Sequence, residues 1–205
     1  MGDEEIEYNL VLEDGTVLKS SWDFTGKATA TYSNGDIYEG FFVDGKRHGQ
    51  GKYSYVTGEV YEGLFDNNLK HGIGKIVYGE NKGSYHGYFV QGKRQGEGTF
   101  IFANGDIYSG SWRDGHKHGN GTYIVKETGV KYKGVWGEGK LLKGQWLFPG
   151  NMRYEGTFEH NKPKNKGVWH FSNGNSSFGV YKQTVRPSEE DEEKLTISVS
   201  WTTIK

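Results

Sequence analysis

One short motif recurs six times along this chain at nearly constant spacing. Each copy is a tyrosine, any residue, a glycine, any residue and a second aromatic residue. A fixed period of about 23 residues predicts a repeat protein, whose units bury little surface alone and pack on their neighbours. The copies are Tyr38–Phe42, Tyr61–Phe65, Tyr85–Phe89, Tyr108–Trp112, Tyr132–Trp136 and Tyr154–Phe158.

Residue alternation around the motifs predicts β-hairpins. In residues 51–65, polar and aromatic residues alternate up to Thr57-Gly58 and then alternate again. Alternation on both sides of a glycine turn is typical of a hairpin, and Asn34-Gly35, Asn104-Gly105 and Asn173-Gly174 are strong turn dipeptides. We therefore predict an all-β fold: an extended, solenoid-like, single-layer antiparallel sheet of tandem β-hairpins.

The motif places its tyrosine, glycine and second aromatic residue on one face of a strand, because side chains alternate between the two faces. The central glycine leaves room for a ring to lie over the backbone. Since a single sheet has no second layer, we expect part of this face to remain an exposed groove that binds a protein partner. The predicted protein-binding positions are Tyr38, Phe42, Tyr61, Phe65, Tyr85, Phe89, Tyr108, Trp112, Tyr132, Trp136, Tyr154 and Phe158. The opposite face is predicted to be mostly polar.

The two ends of the chain depart from the repeat. Residues 1–25 read as a degenerate capping repeat, in which Leu18 and Trp22 take the motif positions, and residues 26–182 form the repeat array. An acidic linker is predicted at 183–194, followed by a terminal strand at 195–205. That strand either folds back on the edge of the array or joins a partner's sheet. Its alternating apolar residues are Leu195, Ile197, Val199 and Trp201.

Charge is unevenly distributed, although the net charge is only −1. Residues 26–185 carry 21 bases and 14 acids, a net of +7, between two acidic ends. This pattern fits either a solvated face or a docking surface for an acidic partner or anionic lipid. The bases are expected in loops and on the polar face, away from the aromatic face, which argues against nucleic-acid binding. The lipid alternative would use Lys46, Arg47, Lys70, Lys93, Arg94 and Lys117.

No pattern of catalytic or ligand-binding chemistry stands outside the repeat. The chain has no cysteine, and His48, His71 and His118 recur at one repeat position. Stacked hairpins hold such positions ~10 Å apart, too far to share a metal ion. We therefore expect no enzyme activity, catalytic residue, metal or cofactor. There is no apolar stretch of membrane-spanning length, and the acidic N-terminus does not resemble a secretory signal.

The complete unit, from the Y-x-G-x-(F/W) motif through the following H-G-x-G step, resembles the MORN repeat (membrane occupation and recognition nexus) over about residues 16–182. The order of irregularities after residue 121 is similar to that of MORN proteins of the ciliary radial spoke head. This resemblance implies a non-enzymatic structural subunit of the axoneme in a cilium or flagellum, which supports motility. It implies other radial spoke head proteins as partners, with central apparatus projections and self-association as further options. A lipid-binding adaptor and a general cytoskeletal MORN scaffold are the alternatives.

Overall fold

The structure is a computed structural model that describes residues 7–187 and 195–204. Within these residues the chain forms seventeen β-strands and no helix. The strands belong to two compact units, one of Met1–Gly105 with Arg113–Gly115 and the other of Asp106–Trp112 with His116–Lys205. The all-β class predicted from the alternation is confirmed.

The first unit contains strands β1 to β9. Each of β3 to β8 pairs antiparallel with the strand that follows it, and β1 pairs with both β2 and β3. This consecutive pairing confirms the predicted tandem hairpins. The strands are β1 (Asn9–Leu12), β2 (Val17–Leu18), β3 (Gly26–Thr31), β4 (Ile37–Val43), β5 (Lys46–Ser54), β6 (Glu59–Asp66), β7 (Leu69–Tyr78), β8 (Ser84–Val90) and β9 (Lys93–Ile101).

The second unit contains strands β10 to β17. From β11 onward each strand pairs antiparallel with the next, through to β17. Its strands are β10 (Ile107–Arg113), β11 (His116–Ile124), β12 (Lys131–Gly137), β13 (Lys140–Leu147), β14 (Arg153–Glu159), β15 (Lys162–His170), β16 (Ser176–Pro187) and β17 (Leu195–Thr203).

Glycines face glycines across the sheet, and this register explains why the motif needs them. Gly63 of β6 is opposite Gly74 of β7, and the Tyr61 ring lies flat over the pair. A Cβ atom on Gly63 would lie 2.5 Å from Gly74 Cα and 2.7 Å from the Tyr61 hydroxyl. Real Cβ atoms do not come so close to other heavy atoms, so any side chain here would displace the ring or the neighbouring strand.

Rings in edge-to-face contact then build the core without a second sheet. The Tyr61 ring meets Phe65 of its own motif edge-on at 5.1 Å and Phe89 of the next motif at 5.2 Å. Tyr38 meets Phe42 and Phe65 in the same way, both at 5.1 Å. Edge-to-face contacts at this spacing are favourable. Each of these tyrosines therefore joins its own repeat to the following one.

The tyrosine hydroxyl completes this arrangement in the early repeats. Tyr61 donates a hydrogen bond to the Leu64 carbonyl at 2.9 Å, and Tyr38, Tyr85 and Tyr108 bond to the equivalent carbonyls. Tyr154 differs, because its buried hydroxyl has no hydrogen-bond partner among the described residues.

This difference predicts that replacing tyrosine with phenylalanine will change stability differently at two equivalent sites. Tyr61→Phe should lower the free energy of unfolding by about 1 kcal/mol, because it removes the part-buried hydrogen bond to the Leu64 carbonyl. Tyr154→Phe removes a hydroxyl that is already unpaired, so stability should be unchanged or higher. Urea denaturation of the two variants checks this, and equal losses would contradict it.

Tips of successive hairpins are linked by backbone hydrogen bonds. Gly45 donates to the Phe24 carbonyl, Asn68 to Arg47 and Gly92 to Lys70, at 2.9 to 3.0 Å. In the second unit Gly139 donates to Lys117 at 3.0 Å. Neighbouring hairpins are thus connected at their tips as well as along their strands.

The N-terminal segment corrects the predicted motif alignment. Leu10 of β1 is fully buried, whereas Leu18 is half-buried and Trp22 is 89% exposed in a turn. Phe24 makes the expected ring contact instead, 6.0 Å from Phe42. The alignment was wrong because Trp22 lies in a turn, closed by the hydrogen bond from the Phe24 amide to the Ser21 carbonyl, and not on a face of the sheet.

At the C-terminal end β16 runs to Pro187, so residues 183–187 of the predicted linker belong to a strand. Residues 188–194 lie outside the described part of the chain. The terminal strand β17 pairs with β16 over nine positions, from Gly179 with Thr203 to Pro187 with Leu195. Of the two alternatives for this strand, the structure shows the one in which it folds back on the array.

Candidate interaction surfaces

The aromatic face is a core rather than an open groove at the predicted positions. Eleven of the twelve motif aromatics are 0 to 5% exposed, and Tyr132 is half-buried. The expectation of an exposed groove is therefore wrong for these side chains. Sequence reasoning assumed that covering the face needs a second layer, but rings lying flat on glycine backbone cover one another.

Cations complete this cover, which corrects the expectation that basic residues lie away from the rings. The Arg47 guanidinium lies 4.7 Å from the Tyr53 ring centroid, and the Lys117 ammonium lies 4.5 Å from that of Trp136. Lys70 lies over Tyr61 at 5.5 Å and Arg94 over Phe100 at 5.2 Å. These are cation–π distances, so the four side chains stabilise the repeats. Their recurrence at one position of successive repeats was the signal available in the sequence.

Arginine adds a hydrogen bond to the next hairpin tip. Arg47 Nη2 donates to the Asn68 carbonyl at 2.9 Å, and Arg94 Nη2 donates to the Gly115 carbonyl at 2.7 Å. Burial lowers the pKa of Lys117, the cation among Tyr108, Tyr123 and Trp136.

Two buried aspartates were not anticipated from the sequence. Asp36 is 6% exposed and accepts hydrogen bonds from the Tyr53 hydroxyl at 2.7 Å and the Val56 amide at 2.9 Å. Asp106 accepts from the Tyr123 hydroxyl and the Lys126 amide at the same distances. Both end an Asn-Gly-Asp turn, so this tripeptide was the available signal. The bonds satisfy each carboxylate and fix one hairpin turn to the next, which indicates a structural role.

Burial also raises the pKa of the motif tyrosines, to about 12 for Tyr38, Tyr85 and Tyr154. Because the unfolded phenol ionises near pH 10, the folded state holds these protons up to higher pH. Stability should therefore be complete below about pH 10 and fall as pH rises from there through 12. Tyrosinate absorbance and unfolding, measured together in an alkaline titration, should change over this range. Ionisation of all the tyrosines near pH 10 without unfolding would contradict the burial argument.

The loop edge proposed for lipid carries both signs of charge. Lys93 lies 3.6 Å from Asp114, and His48 lies 3.5 Å from Asp66. Four of the six candidate cations, Arg47, Lys70, Arg94 and Lys117, are the ones that lie over rings. This edge therefore lacks the uniform positive charge that anionic membranes attract.

The face opposite the aromatic core exposes apolar side chains as well as charges. Phe41, Leu64 and Tyr88 each lie between the glycine and the second aromatic residue of their motif, and they are 42%, 39% and 49% exposed. Ile73, directly opposite Tyr88 on the neighbouring strand, is 49% exposed. This corrects the expectation of a mostly polar face. A groove of about 660 Å³ follows the glycines here, lined by Glu39, Phe41, Gln50, Lys52 and Glu62.

The C-terminal hairpin presents the other candidate surface. Trp201 packs on Tyr181 with ring centroids 4.9 Å apart, and Lys162 donates from its ammonium to the Ile197 carbonyl. Val199 is 40% exposed, and Ile197 is half-buried. One edge of β17 bonds to β16, and within the described residues no strand pairs with its other edge. A strand from a partner could pair there.

Residues 7–187 and 195–204 lack two other kinds of feature, a metal-binding cluster and a membrane-spanning helix. In these ranges no group of three or more His, Cys, Asp or Glu side chains is arranged to hold a metal ion. The same residues contain no helix long and apolar enough to cross a membrane.

The repeat geometry defines a class of tandem-hairpin proteins, and comparison of the sequence with known families identifies it. The MORN repeat matches residues 38–60, 61–81, 85–107, 108–124 and 154–176. These matches cover more than half of the 205 residues, and the chain belongs to the MORN-repeat family. No curated protein matches the chain. MORN repeats generally form structural or adaptor scaffolds, and this chain has the architecture of such a repeat scaffold.

Proposed function

We propose that this chain is a non-enzymatic structural subunit of the radial spoke head in the ciliary or flagellar axoneme. The observation that carries the proposal is the order of departures from the regular repeat, which resembles that of radial spoke head protein 1. The stretch 121–136 is followed by a weakened repeat, then by 152–163, a Phe178-Gly-Val-Tyr181 remnant, an acidic run and a terminal segment with Trp201. Shared irregularities are more specific than the repeat itself.

Two surfaces support a scaffolding role. The outer edge of β17 can accept a partner strand, and the face opposite the aromatic core offers apolar residues between charges. Exposed apolar patches of this kind mark protein interaction sites. Other spoke-head proteins would bind there, and the assembled head would meet the central apparatus projections during bending.

The test is affinity purification of the tagged full chain from detergent-extracted cilia, with mass spectrometry of the bound proteins. Recovery of other spoke-head subunits in fixed ratio is the expected result. A tagged Tyr108→Ala variant, which removes a fully buried ring and should not fold, controls for non-specific capture. Absence of the tagged chain from salt-washed axonemes would overturn the proposal and leave a general cytoskeletal MORN scaffold.

A lipid-binding adaptor is the second candidate, and Trp22 is the observation that favours it. This side chain is 89% exposed, and the Gly45–Phe24 hydrogen bond joins its turn to the hairpin tip that carries the exposed Lys46. Tryptophan and lysine together suit a membrane interface. Flotation with phosphatidylserine vesicles, weakened by salt and by Lys46→Glu, would support it, whereas absence of flotation would exclude it.

A further inference from the structure

A ladder of alternating charges crosses the first unit on the face opposite the aromatic core. Glu39 of β4 is directly opposite Lys52 of β5, which is opposite Glu62 of β6, which is opposite Lys75 of β7. Directly opposed residues of antiparallel strands share a face. All four side chains are exposed, and among the described residues none lies within 4.0 Å of an oppositely charged group.

Mostly apolar rows flank this charge ladder on both sides, each interrupted on β5 by one polar residue, Gln50 or Ser54. On one side Phe41 and Ile73 are 42% and 49% exposed, and on the other Ile37 and Val77 are 37% and 39% exposed. Exposed apolar side chains of this kind can supply affinity in an interface, and the charges between them can set its register.

The order of the four charges is self-complementary. Read from β4 to β7 it is acid, base, acid, base, and read from β7 to β4 it is base, acid, base, acid. We infer that this face pairs with the same face of a second copy of the chain. The two-fold axis lies between the two sheets, parallel to the strands and between β5 and β6. It places Glu39 against Lys75 of the second copy and Lys52 against Glu62.

The same axis also brings the apolar residues of the flanking rows together, while Gln50 and Ser54 face Leu64 and Val60 of the second copy. Phe41 faces Ile73 of the second copy, and Ile37 faces Val77. One strand further out, Lys27 of β3 faces Tyr88 of β8 in the second copy, which places a cation against an aromatic ring. An axis perpendicular to the strands would instead oppose Glu39 to Glu39, which costs free energy. Sheets that pack face to face lie ~10 Å apart, a gap that Lys and Glu side chains can span from opposite sides.

Charge reversal tests this pairing in the purified full-length chain by sedimentation equilibrium. The wild type is expected to dimerise, and Glu39→Lys should raise the dimer dissociation constant at least about tenfold, because the symmetric dimer gains two repulsions. Adding Lys75→Glu to that variant restores both pairs and should return the constant to within about threefold of wild type. Glu155→Lys, at the same motif position in the second unit, is the matched control and should leave it unchanged.

Thermal unfolding of each variant verifies that the monomer still folds, as expected for exposed positions. A monomeric wild type, an unaffected Glu39→Lys variant or a double variant that fails to recover would each overturn the inference. The dimer would occupy this face of the first unit, so the proposed spoke-head partners would bind at the outer edge of β17, and the two proposals are tested separately. A monomer that still recovers spoke-head subunits would refute the dimer alone, and a dimer without such partners would refute the spoke-head role alone.

Discussion

Substituting alanine for Gly74 is expected to lower the free energy of unfolding by about 3 kcal/mol, a large effect for adding a single methyl group. The new Cβ would lie 2.6 and 2.7 Å from ring carbons of Tyr61. Tyr61 cannot move away, because Phe65 and Phe89 meet its ring edge-on and the Leu64 carbonyl accepts a hydrogen bond from its hydroxyl. Urea denaturation followed by near-ultraviolet circular dichroism measures the loss.

Gly92→Ala is the matched control for this substitution. Gly92 lies in a hairpin tip with φ of +81°, and a Cβ there would have no atom within 4 Å. Gly92→Ala should lower the free energy of unfolding by about 1 kcal/mol, through backbone strain alone. Replacing Tyr61 with leucine should reduce the cost of Gly74→Ala, because the flat ring is the obstacle. Equal losses at Gly74 and Gly92 would show that the ring does not occupy the position described.

Tyr61→Ala is expected to lower the free energy of unfolding by about 4 kcal/mol, near the upper end for deletion of a buried aromatic side chain. Tyr61 is fully buried, covers the Gly63–Gly74 pair and contacts the aromatic residues of two motifs. Its loss opens a cavity and separates two repeats at once. Lys70, which lies over the same ring, loses its cation–π contact as well.

Trp22→Ala provides the comparison for Tyr61→Ala, because the indole is 89% exposed. It should change stability by less than about 0.5 kcal/mol, as is usual for surface positions. Thermal and urea unfolding of both variants give the two values. Similar losses in both would mean that burial does not determine the contribution of aromatic residues in this array.

The repeat itself could be predicted from sequence because spacing and alternation directly encode it. Tyr61, Gly63 and Phe65 share a face in any strand, and Thr57-Gly58 between two alternating stretches is typical of a hairpin turn. The extent of burial could not be predicted in this way. It depends on the Tyr61 ring lying flat on Gly63 and Gly74, and on Lys70 lying over the ring, both of which are choices of side-chain rotamer that alternation does not specify.

The interaction surfaces were less predictable than the fold for a related reason. Arg47 and Lys70 look like solvated loop cations in sequence, because their long side chains can reach either water or an aromatic ring. Asp36 looks like an ordinary turn residue until Tyr53 and Val56 are brought to it from the next hairpin. The charge ladder needed the cross-strand register, which places Glu39 beside Lys52 although a whole hairpin tip separates them in sequence.

The consecutive pairing of hairpins has a mechanical consequence. From β4 to β8, each strand of the first unit is hydrogen-bonded to its sequence neighbours, and hairpin tips are joined in the same order. A force applied across the strands therefore loads the hydrogen bonds a few at a time. One repeat that peels away releases about 80 Å of extended chain. The array should thus yield in repeat-sized steps at low force, while its remaining repeats stay folded.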